Sequence, residues 1–273
     1  MKNFVLIFIF LIVVANFTLA EDFWEEIELP EEVTVYSIIV DSESNIYIGT
    51  AQDNDIGGVY CLKQGETNWE FIGLLDKTVY SFAIDKDGII YAGVTRGIYY
   101  LQDPENNIWE QLLSINNSSI ANLVINNNND IFASSYGIIR LLNGEDNWLN
   151  VLTLEQGEPV CGICFGVKYE VYAVTTNFFG GGGVYYSSNN GDDWKNVGLE
   201  YYFLSEIASN SQSDIFVTAQ GHYYNGNGGV YRKTNTETGE WIELKNNILA
   251  TSIAINNKDE IYVGCSNLDG APG

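Results

Sequence analysis

Two carboxylates facing each other at roughly 5–10 Å across a cleft would suit glycoside hydrolysis, and Glu206 is the residue from which such a pair would start. Aligned segments of the chain put Ser37, Ser81, Asn122, Gly162 and Ser252 at its position, so it is a lone acid among small neutral residues, expected near the channel mouth as a ligand contact or a hydrated channel group. Asp53 and Asp55, in AQDNDIGG, are the acids available to oppose it. Most others (Asp41, Asp85, Asp87, Asp130, Asp214, Asp259) fall in turns, where such side chains bond their own backbone. The only His, His222, has no second His beside it, and a calcium loop of the D-x-D-x-D-G type is absent from the sequence. The GGGG run at 180–183 leads into no helix that would hold phosphate. No metal or cofactor is therefore expected. The other chemistry on offer is stacking beside hydrogen bonding. Long segments bring Phe178, Phe179, His222, Tyr223 and Tyr224 together with polar neighbours, shorter ones add Arg96 and Tyr136, and a further connection holds Tyr201, Tyr202 and Phe203. Aromatic rings beside polar groups suit a sugar or a protein anchor.

The elements that position these residues repeat. Six Trp stand in one context, as in NWEFIGL and DWKNVGL: Trp24, Trp69, Trp109, Trp148, Trp194 and Trp241, separated by 45, 40, 39, 46 and 47 residues. Around them recur a first segment (VYSIIVD, VYSFAID), a turn rich in Asn, Asp, Ser and Gly, a second segment (NIYIGT, DIFVTA) and a third (GGVYCLK, GGVYRKT). Short β-branched and aromatic runs bounded by turn residues read as strands. Four of them in each unit of about 40–47 residues make the blade of a β-propeller. An all-β fold of about six blades is expected, over about 35–74, 79–114, 119–154, 160–199, 204–246 and 250–273. Residues 22–29 would supply the fourth strand of the last blade and hide its edge. That last unit stops after two strands, so the chain is expected to continue past Gly273 with another G-V-Y-type strand.

Residues 1–20 carry Lys2, an apolar run and a small-residue end at Thr18-Leu19-Ala20, which reads as a secretory signal. Removing it changes 12 cations against 36 acids into 11 against 36, a charge of −25. Such a chain repels nucleic acid and anionic membranes. An exported acidic monomer (residues 21–273) follows, without membrane insertion. Cys61, Cys161, Cys164 and Cys265 read as buried free thiols, since residues three apart on a strand, like Cys161 and Cys164, point to opposite faces. Overlapping glycosylation-type sites at Asn116 and Asn117 fall where a loop between blades is expected.

The stretch Ser187-Ser188-Asn189-Asn190-Gly191-Asp192-Asp193-Trp194 resembles the Asp-box, S-x-D-x-G-x-x-W, of sialidase-like propellers, with Asn189 in place of Asp. The resemblance implies a turn-stabilising role for Ser187, Asn189, Gly191 and Trp194. It admits sialidases, xyloglucan hydrolases and sensor domains. A sialidase of this family would need three Arg on its substrate's carboxylate, hence all of Arg96, Arg140 and Arg232. Arg140 and Arg232 hold matching places on third strands and are expected at the surface. The resulting expectation is a non-catalytic propeller that recognises a neutral glycan or an extracellular protein through the face bearing its long loops. The alternatives are a glycoside hydrolase using Glu206 with Asp53 or Asp55, and an extracellular sensor.

Overall fold

A computed structural model describes residues 27–30, 33–51, 57–135, 137–154, 158–177, 181–222, 224, 226, 228–234 and 239–266. The expected signal, Trp24, Asp53, Asp55, Tyr136, Phe178, Phe179 and Tyr223 lie outside the described residues, as do residues 22–26 of the closing segment. The chain divides into a short unit, residues 1–33, and a body, residues 34–273. The described part of the short unit forms no strand. The body is all β-sheet, with no helix among its described residues.

Blade one is β1 (Val35–Val40), β2 (Ile46–Thr50), β3 (Val59–Leu62) and β4 (Glu70–Gly73), hydrogen-bonded in that order. Blade two has three strands by count, β5 (Val79–Ile84), β6 (Ile90–Asp103) and β7 (Ile108–Ser119). Its grammar is unchanged, because Ile90–Val94 of β6 pairs with β5 and Gly97–Asp103 pairs with β7. Blade three is β8 (Leu123–Ile125), β9 (Ile131–Ser134), β10 (Gly137–Leu141) and β11 (Leu149–Thr153). Blade four is β12 (Val160–Phe165), β13 (Val171–Asn177), β14 (Gly181–Ser187) and β15 (Lys195–Asn196). Blade five is β16 (Tyr202–Ser209), β17 (Ile215–His222), β18 (Gly229–Lys233) and β19 (Ile242–Asn246). The pair β20 (Leu249–Ile255) and β21 (Ile261–Ser266) begins the sixth. One departure concerns Asn116–Ser119: β7 runs on through them because Ser119 pairs with Thr95 of the lengthened β6, so these residues are strand and not loop.

Successive first strands neighbour one another from β1 through β5, β8, β12 and β16 to β20, which is the progression of a propeller. The core is divided accordingly. Tyr47, Val59 and Ile72 of blade one pack with Val79, Ala92 and Val94 of blade two, and equivalent clusters fill each later seam. Tyr80, Phe82 and Ile84 of β5 are half-buried by blade one, whereas the matching Tyr36, Ile38 and Val40 of β1 are 54, 65 and 53% exposed. First-strand polar residues stitch the seams. Ser37 Oγ donates to the Val79 carbonyl (3.0 Å), Ser81 Oγ to Ile120 (2.9 Å), Asn122 Nδ2 to Val160 (3.0 Å) and Ser205 Oγ to Ala250 (2.7 Å). At the matching position of blade four stands Gly162, where a Cβ would lie 2.9 Å from Ile207 Cγ2.

Five of the six turns between first and second strands follow one rule, and in blade four, with Gly166 at that position, Glu170 Oε2 accepts from Val167 N–H instead. Asp41, Asp85, Asn126, Asn210 and Asn256 each accept, on Oδ1, the amides two and four residues on. Asp130 and Asp214 differ from that reading, being 6 and 5% exposed. Asp130 accepts from Asn190 Nδ2 of blade four (2.9 Å), and Asp214 pairs with Arg232. Arg140 is correspondingly no surface residue. It is 5% exposed because the Ser187–Trp194 turn of blade four reaches it, placing Asp192 Oδ1 at 2.8 Å and the Asn190 carbonyl on its guanidinium. Cys265 departs too. All four cysteines are free, but Cys265 is exposed and Cys161 half-buried.

Two tryptophans latch blades together. Trp109 Nε1 donates to the Ile72 carbonyl of blade one, and Trp241 Nε1 to Val197 of blade four, each at 2.9 Å. Beside these carbonyls lie Gly73 and Gly198, whose φ values of 125° and 114° suit glycine alone and whose missing side chains leave room for the indole. In Gly73→Ala the new Cβ would sit 2.8 Å from Trp109 Cδ1. We expect this substitution to lose at least about 2 kcal/mol in urea denaturation, from strain and overpacking together. Gly65→Ala is the control, with φ of 80° and open space around it, and should lose about 1 kcal/mol. Equal losses would refute the latch.

Candidate functional site

The described aromatic residues of the long-loop rim converge on blade five. Tyr202 opens β16 and His222 closes β17, and the two are register partners. Their rings meet edge to face at 4.5 Å, and Tyr202 meets the buried Tyr231 of β18 at 4.9 Å. On the outer side the His222 ring lies 5.9 Å from Tyr224, and Tyr224 lies 5.4 Å from Tyr201. A row of rings thus runs from the seam core to solvent, ending in Tyr224 and Tyr201 at 72 and 42% exposure. Burial, with the Tyr202 hydroxyl, raises the Tyr231 phenol far above its ordinary range, so that root of the row stays uncharged. Tyr201 is in the left-handed region at φ 69°, an unusual conformation for an aromatic residue. The loop is tied back at His222, whose carbonyl accepts from Gly226 N–H (2.8 Å) and whose Nδ1 accepts from Tyr224 N–H (3.2 Å).

Of the predicted ligand contacts, the structure brings His222 and Tyr224 together and adds Tyr201 and Tyr202 to them. Arg96 is elsewhere, at the turning point of β6, exposed and left-handed at φ 70°. The three arginines form no cluster. Arg140 and Arg232 are committed to Asp192 and Asp214, while Arg96 stands at the opposite end of its blade's strands. Glu206 faces the next blade: its Oε2 accepts from Ile253 N–H at 2.9 Å. Burial raises its carboxyl above the ordinary range, with the Ile253 amide opposing in part. Among the described residues no group of three His, Cys, Asp or Glu could hold a metal ion. Burial pushes the Cys161 thiol up to about 11 and raises Cys164 further, so neither is a thiolate at neutral pH.

The turn from Ser187 to Trp194 is closed by three hydrogen bonds. Ser187 Oγ accepts from Gly191 N–H at 2.8 Å, Asn189 Oδ1 accepts from Asp193 N–H at 2.9 Å, and Trp194 Nε1 donates to the Gly191 carbonyl at 2.9 Å. Trp194 therefore closes its own turn, unlike Trp109 and Trp241. At the Ser187 position blade five has Lys233, buried, whose Nζ reaches the Gly239 carbonyl across the turn instead.

No protein-family model and no curated protein sequence matches this chain. Solved structures do. A GH74 enzyme from Niastella koreensis superposes with a TM-score of 0.67 at 17% identity, over 85% of this chain and 40% of that one. Virginiamycin B lyase from Staphylococcus aureus, in a catalytically inactive form, gives 0.68 at 12% identity, over 87% and 80%. The extracellular domain of a one component system from B. thetaiotaomicron gives 0.59 at 13%, over 88% and 40%. The chain thus spans about two fifths of the GH74 enzyme and of the sensor domain. At these identities the likeness carries the fold: the chain is a β-propeller. No helix among the described residues is long and apolar enough to cross a membrane.

Glu206 gives a test of its placement. A carboxyl whose folded pKa is raised opposes folding as it ionises, so its cost is absent at low pH. That cost grows as pH rises through the unfolded and then the folded pKa. Glu206→Gln keeps an oxygen for Ile253 N–H and removes the charge. The variant should melt above the parent at pH 7, with the gap closing below pH 4. A parent more stable than the variant at pH 7 would contradict the seam placement.

Proposed function

We propose that this protein is an exported, non-catalytic propeller that binds a neutral glycan on the rim of blade five. The observation that carries the reading is the row Tyr231–Tyr202–His222–Tyr224–Tyr201, rooted in the seam core and exposed at its outer end. Rigid aromatic faces beside hydrogen-bonding groups suit the apolar face and hydroxyls of a pyranose. A formal charge of −24 disfavours an anionic ligand. An extracellular protein partner would use the same rings as anchors. The same proposal keeps Tyr136, Phe178, Phe179 and Tyr223 as candidate contacts, whereas Arg96, on β6 of blade two, stands apart from the blade-five row. Similarity to a GH74 xyloglucanase from Xanthomonas campestris, at 14% identity, is compatible with a glycan ligand. In this reading residues 1–20 are the export signal, the propeller follows from 21, and the formed turn at Ser187–Trp194 supports affiliation with the Asp-box propellers.

A hydrolase is the second reading, and what favours it is the Glu206 carboxyl, which burial shifts upward in the direction a general acid requires. Calorimetry with cello- and xyloglucan oligosaccharides, together with mass analysis for released sugar, separates the two. We expect binding without release, weakened at least tenfold in Tyr201→Ala/Tyr224→Ala and unchanged in Glu206→Gln. Sugar release lost in Glu206→Gln would establish the hydrolase. Binding of none of the sugars, with capture of a protein dependent on both tyrosines, would move the site to protein recognition.

A further inference from the structure

The single histidine of the chain is fixed more tightly than a ring on a loop needs to be. His222 Nδ1 accepts from Tyr224 N–H at 3.2 Å, so the neutral ring carries its proton on Nε2. That Nε2–H has no acceptor among the described residues, and it is not among the buried unpaired side-chain atoms, which are Arg140 Nε and Thr175 Oγ1. It is therefore a donor that no described residue uses, beside the two most exposed rings of the row. Among the described residues, the rings facing the imidazole are Tyr202 of β16 and Tyr224 of its own loop, with Tyr231 of β18 behind Tyr202 and Tyr201 behind Tyr224.

We propose that His222 is the hydrogen-bonding residue of the blade-five site, donating Nε2–H to a hydroxyl or ring oxygen of a neutral sugar that lies against Tyr224 and Tyr201. The proposal rests on the glycan reading above and adds a specificity to it. A ligand that offers an acceptor beside its apolar face is selected, and a purely apolar one is not.

The test has two arms. Nitrogen-15 NMR of the labelled protein reads the tautomer directly, because only one imidazole is present. Calorimetry with cellohexaose and a xyloglucan oligosaccharide at pH 7.5 reads the affinity. His222→Asn keeps an oxygen near the Nδ1 position for Tyr224 N–H while removing the Nε2–H donor. We expect the proton on Nε2 at pH 7.5, and His222→Asn should bind about five- to tenfold more weakly than the parent, the scale of one neutral hydrogen bond. A proton on Nδ1, or an affinity unchanged in His222→Asn, would overturn the role of His222 while leaving the aromatic site standing. With the proton found on Nε2 but neither sugar bound at pH 7.5, the glycan reading fails and takes the donor assignment with it.

Discussion

Each blade of this molecule has an apolar sheet face that it cannot bury alone, and burial of that face against the next blade is what the rest of the structure depends on. The buried clusters lie between sheets, from Val79 and Val94 in the first seam to Phe216 and Ile253 in the last. Stability in such an arrangement is a sum over neighbours, as in other repeat architectures. The contrast between the half-buried Phe82 of β5 and the exposed Ile38 of β1 measures what a neighbour contributes. Apolar faces alone would let sheets slide, and each seam carries a directional contact that opposes sliding. The first and fourth have the indoles of Trp109 and Trp241, the third has Arg140 with Asp192, and the second and fifth join turns through Asn129 with Asp87 and Asp259 with Ser211.

The acidic composition is absorbed by the same turns. Asp41 and Asp85 bond their own backbone amides, and hydrogen bonds outweigh burial in keeping the Asp41 and Asp130 carboxyls below the ordinary range. Much of the charge is thus held where local donors stabilise it, and few cations are needed to neutralise it. Lys233, in the register position of Ser187, shows the converse, a buried ammonium bonded to the Gly239 carbonyl.

What was legible in the sequence was local. Strands, turn side chains and the recurring Trp are each set within a few residues, so the blade grammar could be read without coordinates. Placement that depends on the next blade could not. Glu206 finds its partner at Ile253, 47 residues on, and Arg140 is buried by a turn 50 residues away. The continuation of β7 through Ser119 depends on Thr95 across the sheet. At the candidate site, loop length and aromatic content pointed to His222 and Tyr224. The contact of Tyr224 with Tyr201 joins two connections that sequence spacing does not relate.

The connections between second and third strands differ sharply while the seams do not. In blade two the chain reverses at Arg96 and Gly97, whereas in blade five the corresponding connection runs from His222 to Gly229 and carries the ring row. Each connection leaves and re-enters a single sheet, and doubling its length costs only about 0.6 kcal/mol in closure entropy. Insertions there change neither the clusters between blades nor the latches on the outer strands. The rim is therefore the evolvable part of the molecule: descendants of one ancestral ring could acquire unrelated specificities by rewriting one blade's connection at a time, with little selection against the change from folding.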